Sequence, residues 1–247
     1  LAGTFLASRL ALSGLPAEGA FTLSGNALAL TNSANGTAPK ISFAAPGAVT
    51  VSAPVTARAA LTIDTLGSLT LTADALTLPN GSTFCKSGDG LLTLPTLTNT
   101  IANAFVYGGT VQTPSLPSSA AVWLLSRSGK SPALYLTQGG TTVGNTVNLA
   151  GSDIVALGTR CGGGTVTLSN WTYGYGSSAV FDVGADDTFS LRQMLSAYLS
   201  SGSIISATTL TKTGPGTLEI RSGGLDAGNN RAYRGNTVLR NGTIRLL

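Results

Sequence analysis

A short pattern of one apolar residue, one threonine and one apolar residue recurs along the chain and constrains its fold more than any other feature. Alternation with period two is typical of a strand with one buried face, so the apolar residues are expected to point inward and the threonine outward. The pattern occurs at Phe21-Thr22-Leu23, Val49-Thr50-Val51, Leu61-Thr62-Ile63, Leu69-Thr70-Leu71, Leu76-Thr77-Leu78, Leu92-Thr93-Leu94 and Val166-Thr167-Leu168.

The spacing of these triplets indicates a repeating coil. Apolar residues form three interleaved series with a common period of about 20 residues, which is typical of solenoids. The series are Phe21, Ile41, Leu61, Phe84, Phe105; Leu28, Val49, Leu69, Leu92, Val111; and Val55, Leu76, Leu97. They predict an all-β fold, a right-handed parallel β-helix with three short strands per coil, in which Phe21, Ile41 and Leu61 stack in one interior column. The alternative is an antiparallel sandwich, in which Asn-Gly pairs would form hairpin turns, but a sandwich predicts no fixed period.

Two segments depart from this pattern. The period blurs between 113 and 160, where two apolar runs flank the polar stretch from Ser126 to Lys130, and this predicts a hairpin projecting from the coil. Apolar residues then share one helical face at Leu191, Met194, Leu195, Tyr198 and Leu199. A surface helix is therefore predicted over 190–200, with Asp186 and Asp187 favourably placed before its N-terminus.

These features divide the chain into three parts. Regular coils are predicted over 1–112, and less regular coils with the projecting hairpin over 113–160. Coils carrying the surface helix are predicted over 161–247. We also expect either the parent protein to continue past Leu247 or another copy to stack there, because an open strand edge is a template for further pairing.

The composition excludes several classes of functional site. Only 10% of the residues are charged, against about 25% in an average globular domain. No apolar run is long enough for a membrane-spanning helix, and the first ten residues lack the pattern of a secretory signal. The chain has no histidine, which removes Ser-His-Asp and Cys-His triads and imidazole metal sites. We predict no cofactor, no metal and no nucleic-acid partner.

The carboxylates give little support to an enzyme. A β-helical polysaccharide hydrolase or lyase needs carboxylates that converge across consecutive coils. Asp64 and Asp89 are separated by more than one coil period, whereas Asp64 and Asp74 lie on different sides of one coil. We therefore predict a chain that is not an enzyme, with the carbohydrate-active β-helix enzyme as the alternative.

The C-terminal region resembles a known family. The segment from Leu210 to Ile220 reads LTKTGPGTLEI, and Tyr233, Gly235 and Thr237 precede a last segment with Gly242, Ile244 and Leu246. Over 210–247 this is similar to the passenger-associated transport repeat of bacterial autotransporters, with Leu239 in place of the usual valine. The resemblance implies a β-helical passenger exported to the cell surface or shed outside, and it does not specify an activity.

Two further sets of residues are candidates for sites. Trp171, Tyr173 and Tyr175 share one strand face and, together with Trp123, are either carbohydrate contacts or a packing stripe. Cys85 and Cys161 are predicted to form a disulfide, which requires at least one of them to lie on an excursion from the coil, since regular coils would hold them too far apart.

The sequence therefore predicts a non-catalytic, secreted or surface-displayed structural or adhesive segment of a longer bacterial protein. Its expected partner is a cell-surface or matrix ligand, or copies of itself stacked end to end. The other alternative is a subunit of an extracellular fibre or sheath.

Overall fold

The chain folds as an all-β solenoid of parallel strands. This computed structural model describes residues 4–17, 19–72, 76–96, 101–116, 120–127, 129–175, 178–196, 209–221 and 236–247. All regular elements in these ranges are β-strands, and every pair of neighbouring strands runs parallel. The all-β parallel solenoid predicted from the triplets is thus confirmed.

The strands form three sheets, named here by their size. The long sheet has 12 strands. They are β2 (Arg9–Leu12), β5 (Lys40–Phe43), β8 (Leu61–Thr65), β11 (Thr83–Ser87), β13 (Asn103–Val106), β15 (Ala121–Ser126), β17 (Thr141–Val143), β18 (Val147–Gly151), β20 (Gly164–Tyr175), β22 (Asp187–Ser196), β24 (Thr217–Ile220) and β26 (Thr243–Leu246).

The other two sheets are smaller. The ten-stranded sheet contains β3 (Ala20–Leu23), β6 (Ala48–Val51), β9 (Ser68–Leu71), β12 (Leu91–Thr93), β14 (Thr110–Thr113), β16 (Ala133–Leu136), β19 (Ile154–Thr159), β21 (Ser178–Val183), β23 (Thr209–Thr213) and β25 (Thr237–Leu239). The short sheet contains β1 (Phe5–Ala7), β4 (Leu28–Leu30), β7 (Val55–Ala57) and β10 (Leu76–Thr77).

The interior consists of columns of apolar side chains that follow the strand register. In the ten-stranded sheet, Val49 is the partner of Leu69, and Leu69 is the partner of Leu92. All three are buried, whereas the threonines that follow them point outward and are partly exposed. The register confirms most of the second predicted series, from Val49 to Val111.

The first predicted series is wrong in its stacking. Phe21 lies in the ten-stranded sheet opposite Val49, whereas Ile41 lies in the long sheet opposite Ile63. Leu61 instead pairs with Phe84. Coil length varies along the chain, so a fixed period assigns residues to the wrong column even where it identifies the strands.

The strand content of the coils is not uniform. The short sheet ends at β10 within the described part of the chain. Further along, β20 is long enough to pair with two strands of the preceding coil: Val166 lies opposite Thr141 in β17, and Thr172 lies opposite Val147 in β18. The register shifts between Leu168 and Trp171, so β20 bends from one strand position into the next.

The predicted helix over 190–200 is wrong where the structure describes it. Residues up to Ser196 belong to β22, in which Leu191 pairs with Leu168 on one side and Ile220 on the other. Phe189 and Leu191 point into the core with period two, and pairing on both sides overrides the local helical pattern. Tyr198 and Leu199 lie outside the described residues.

The predicted projecting hairpin is also wrong. Its two apolar runs are β15, which pairs with β13 and β18, and β16, which pairs with β14 and β19. They belong to different sheets of the solenoid. An isolated antiparallel bridge between Arg127 and Lys130 closes the connection between them.

Candidate ligand-binding face of the long sheet

One line of outward-pointing residues crosses the strands of the long sheet and is named here the outer column. Cα partners in parallel strands carry their side chains on the same face. Following the register from strand to strand, the column consists of Arg9, Lys40, Thr62, Cys85, Phe105, Trp123 and Asn148.

The middle of the outer column is aromatic. The rings of Phe105 and Trp123 have centroids 6.3 Å apart and planes 21° apart. Tyr107 stacks on Phe105 at 5.9 Å, and Tyr175 meets Trp123 at 5.8 Å. These four half-exposed residues, Tyr107, Phe105, Trp123 and Tyr175, are called the aromatic ladder.

Strand alternation explains why these rings face outward. In β15, Val122 and Leu124 are buried in the core, so Trp123 between them points away from it. The contact between Trp123 and Tyr175 passes over β18, whose outward-facing residues are the smaller Asn148 and Ala150. These are only 3% and 9% exposed, and the Asn148 amide donates a hydrogen bond to the Val122 carbonyl at 3.3 Å.

The ladder is electrically neutral near neutral pH. Burial raises the pKa of the Tyr107 hydroxyl, and the neighbouring Cys85 raises it further. The positive charge of Arg127 lowers this pKa but does not outweigh the other two effects. Burial also raises the pKa of the Cys85 thiol, although a hydrogen bond with Thr62 opposes the rise. The Arg127 guanidinium carbon lies 5.3 Å from the centre of the Tyr107 ring, a cation–π contact at the edge of the ladder.

The predicted carbohydrate contacts lie partly on this face. Tyr175 belongs to the aromatic ladder, and the Cα of Tyr173 is the partner of Asn148 in the outer column. The side chains of Trp171 and Tyr173 are outside the described part of the structure. Sequence reasoning missed Phe105 as a surface residue, because the period of the first series placed it inside, and a register shift of one residue reverses the face.

The predicted disulfide does not form. Cys85 and Cys161 are both free thiols. Cys85 lies in β11, whereas Cys161 follows β19, and the pairing order of the sheets places these strands three coils apart. Coils about 4.8 Å apart therefore hold the two thiols beyond the reach of a bridge, and neither cysteine is on an excursion that shortens this distance.

The carboxylates considered for catalysis take part in separate ion pairs. Asp64 binds the Lys40 ammonium at 2.8 Å, and Asp89 binds that of Lys130 at 2.7 Å. The hydrogen bond with Lys40 lowers the pKa of Asp64 despite its partial burial. Asp74 lies outside the described residues. Among those that are described, no group of three or more acidic or cysteine side chains is arranged to hold a metal ion.

The acidic pair before the predicted helix has another role. Because the strand β22 replaces that helix, Asp187 does not face a helix N-terminus. Its buried carboxylate instead accepts hydrogen bonds from the backbone N–H groups of Cys161 at 2.9 Å and Gly163 at 2.8 Å. Asp186 occupies a turn with a φ of 61°.

The opposite side of the solenoid carries an aromatic residue in a different setting. On the ten-stranded sheet, the Tyr135 hydroxyl donates to the Asp182 carboxylate at 3.0 Å, and the Arg160 guanidinium carbon lies 4.2 Å from the Tyr135 ring centre. Burial opposes ionisation of Asp182, but the ion pair with Arg160 and the Tyr135 hydrogen bond lower its pKa. Tyr135 is therefore a polar network residue that makes a useful control for the ladder.

Comparisons with known proteins do not assign the chain to a family. No described helix is long and apolar enough to cross a membrane. No protein-family model, no curated protein and no solved structure matches the chain.

Proposed function

We propose that the chain is a non-catalytic, surface-displayed or secreted β-helical segment that binds an extended saccharide chain along the outer face of the long sheet. The aromatic ladder is the observation that carries this proposal. Phe105 and Trp123 lie on adjacent coils and Tyr175 lies two coils beyond Trp123, so these rings follow the solenoid axis, with Tyr107 beside Phe105. Pyranose rings present apolar C–H faces that pack on aromatic rings, while their hydroxyl groups remain in water.

The neutrality of the ladder favours a sugar over a nucleic acid. Single-stranded nucleic acids bind where stacking aromatics are accompanied by a basic groove that tracks the phosphates. Along the described part of the ladder the nearest cation is Arg127, which already contacts the ring of Tyr107. The aromatic ladder therefore suits a ligand that stacks on the rings without a negative charge beside each ring, and a saccharide chain is such a ligand.

The C-terminal coils support an autotransporter-type passenger. The segment that resembles the transport repeat forms β23 and β24, and their parallel partners are β25 and β26. In this proposal the repeat forms coils of the solenoid. The coils wind right-handed, as nearly all parallel crossovers do, with three recurring strand positions, and the molecule acts outside the cell. Tyr233 and Gly235 lie outside the described residues.

The binding proposal is tested with the Trp123→Ala variant and a matched Tyr135→Ala control on the opposite side. Affinity for soluble polysaccharides is measured by calorimetry, and thermal melts check that both variants fold. Loss of a stacking contact is expected to weaken binding roughly tenfold or more for Trp123→Ala and to leave Tyr135→Ala close to the natural chain. If the two variants bind with equal affinity, the aromatic ladder is not the binding site.

The same samples test the non-catalytic part of the proposal. Bound polysaccharide is expected to keep its chain length on long incubation, as judged by the release of reducing ends. A steady release of new reducing ends that persists after repeated purification would favour the carbohydrate-active enzyme instead.

A second candidate function is end-to-end assembly. The last described coil exposes Leu239, Leu246 and Leu247, whose exposed fractions are 55%, 76% and 52%. Exposed apolar residues beside an open strand edge favour contact with further coils or with a second copy. Sedimentation of the natural chain and of Leu246→Lys over a range of concentrations separates a self-associating chain from a monomeric one.

A further inference from the structure

We infer that a groove at the N-terminal end of the outer column binds the carboxylate of an acidic saccharide, so that the ligand of this face is a uronic-acid-containing chain. This inference rests on the proposed saccharide-binding function and specifies the class of sugar. The groove, called here the N-terminal groove, has a volume of about 440 Å³. Its polar lining includes Ser8, Arg9, Ser33, Asn35, Thr37 and Lys40.

The wall of the groove is a loop between β4 and β5 that folds into a closed turn. The Ser33 N–H donates to the Thr37 carbonyl at 2.9 Å, and the Gly36 N–H donates to the Ser33 carbonyl at 2.9 Å. The Asn35 side-chain oxygen accepts hydrogen bonds from the hydroxyl groups of Ser33 and Thr37. These bonds fix the loop before a ligand arrives, which reduces the entropy lost on binding.

The hydrogen-bonding groups of this wall suit sugar hydroxyls. The oxygen of the Asn35 amide is occupied within the loop, and among the described residues no partner is seen for its Nδ2 donor. The groove thus offers an amide donor and the hydroxyl groups of Ser33 and Thr37 on a rigid edge. Each can exchange hydrogen bonds with a hydroxyl-rich ligand.

The charge of the groove is carried by Arg9. Lys40 is already paired with Asp64 at 2.8 Å. The exposed Arg9 has only a long hydrogen bond, 3.4 Å, to the Ser42 hydroxyl among the described residues. An arginine with its fork open to solvent can bind a carboxylate with two parallel hydrogen bonds, which are stronger than bonds between neutral groups.

The groove and the aromatic ladder belong to one binding path. Arg9, Lys40 and Thr62 begin the outer column, which continues through Cys85 to Phe105 and Trp123. Lys40 and Trp123 are separated by four strand spacings, or about 19 Å at about 4.8 Å each. A chain of several sugars can therefore stack on the ladder while one of its carboxylates reaches the groove, and the two contacts reinforce each other.

The test compares polygalacturonate with a neutral galactan. The variants are Arg9→Gln and the control Arg240→Gln, which removes an exposed arginine from the last coil. Arg9→Gln is expected to weaken polygalacturonate binding roughly tenfold, because a charge-assisted pair is lost, and to leave galactan binding unchanged. Arg240→Gln is expected to leave both affinities unchanged.

The outcomes separate this inference from the proposed function. If Arg9→Gln binds polygalacturonate as well as the natural chain does, the groove does not recognise the carboxylate, whereas Trp123→Ala still reports on the ladder. If Trp123→Ala also binds both polymers normally, the saccharide-binding function itself is wrong. If single-stranded DNA binds more tightly than polygalacturonate and competes with it, the ligand class is wrong and a nucleic acid is favoured.

Discussion

Lys86 and Lys212 lie inside the solenoid, where a charged side chain is costly to bury. Both are fully buried in the structure. The Lys86 ammonium donates to the carbonyls of Ser87, Gly88 and Gly108 at 2.6, 2.8 and 3.2 Å. Lys212 donates in the same way to the carbonyls of the two residues that follow it and of Asn241. Each lysine therefore satisfies carbonyl groups where two successive coils turn a corner.

The two lysines begin matching segments of sequence. The first reads KSGDGLLTL from Lys86 to Leu94, and the second reads KTGPGTLEI from Lys212 to Ile220. The spacing of lysine, glycine and apolar residues is the same in both. The second segment is the one that resembles the transport repeat. The same lysine corner therefore occurs both in that repeat and in the middle of the chain.

Lys86 gives the stability of the protein a specific pH dependence. Burial lowers its pKa from 10.5 to about 8, although Asp64 and Asp89 oppose this. Between these two values the unfolded chain holds a proton that the folded chain has lost. The free energy of unfolding is therefore expected to rise with pH across this window, by at most about 3.5 kcal/mol at about 1.4 kcal/mol per pH unit.

The Lys86→Met variant isolates this contribution. Urea unfolding of both proteins between pH 7 and pH 10 is expected to show the natural chain gaining stability relative to the variant as the pH rises. No relative gain up to pH 10 would mean that the hydrogen bonds to the three carbonyls offset the effect of burial and keep the pKa of Lys86 near or above 10.5.

At the scale of elements, glycine corners set how closely the coils stack. A Cβ atom at Gly90 would lie 2.1 Å from the Gly67 carbonyl oxygen, and one at Gly67 would lie 2.3 Å from that of Gly47. These contacts are with backbone atoms, which cannot move aside without separating the coils. The turn from the long sheet to the ten-stranded sheet thus requires glycine at successive coils.

Gly90→Ala is expected to destabilise the fold by about 1–3 kcal/mol, as core overpacking does. Gly144→Ala is the matched control, because its nearest neighbour would be the Ser169 hydroxyl at 4.0 Å and its φ is not in the left-handed region. Urea melts of both variants measure the difference. Equal stabilities would mean that the corners relax and that glycine is not required there.

The strands could be predicted from sequence better than the way they stack. Period-two alternation is local, so Leu69-Thr70-Leu71 and Leu92-Thr93-Leu94 identify β9 and most of β12 directly. The helix prediction failed because Leu191 fits both a helical stripe and an inward strand position, and only its parallel neighbours in the adjacent coils decide between them. Such neighbours are distant in sequence and leave no local signal.

The candidate site was harder to predict for the same reason. The outer column depends on register across many coils, and the coils differ in length: fewer residues separate the partners Phe105 and Trp123 than separate Arg9 and Lys40. The loop that forms the N-terminal groove accounts for part of this difference, since it occupies the long connection between β4 and β5. Trp123 and Tyr175 could each be chosen from the sequence as aromatic candidates, but the contact between them depends on how the coils stack and could not be predicted.

At the scale of the whole molecule, the solenoid turns scattered residues into continuous lines. Arg9 and Trp123 are far apart in sequence and belong to different coils, yet they lie on one face because every coil adds a strand to the same sheet. A low content of charge and an outer surface rich in threonine leave the aromatic ladder as a distinct feature of that face. We therefore expect the ligand to contact this face and no other.

Reaction of the two native cysteines with a thiol reagent tests this claim most directly. Cys85 lies in the outer column beside Phe105, whereas Cys161 lies at a distant corner, and both are partly exposed free thiols. Burial raises the pKa of each, so each thiol is compared with itself at one alkaline pH, with and without saturating polygalacturonate. The account predicts that alkylation of Cys85 slows roughly tenfold, as occupancy of a ligand site requires, while Cys161 reacts at an unchanged rate. Unchanged reaction of Cys85 under saturating ligand, or equal protection of both thiols, would contradict it.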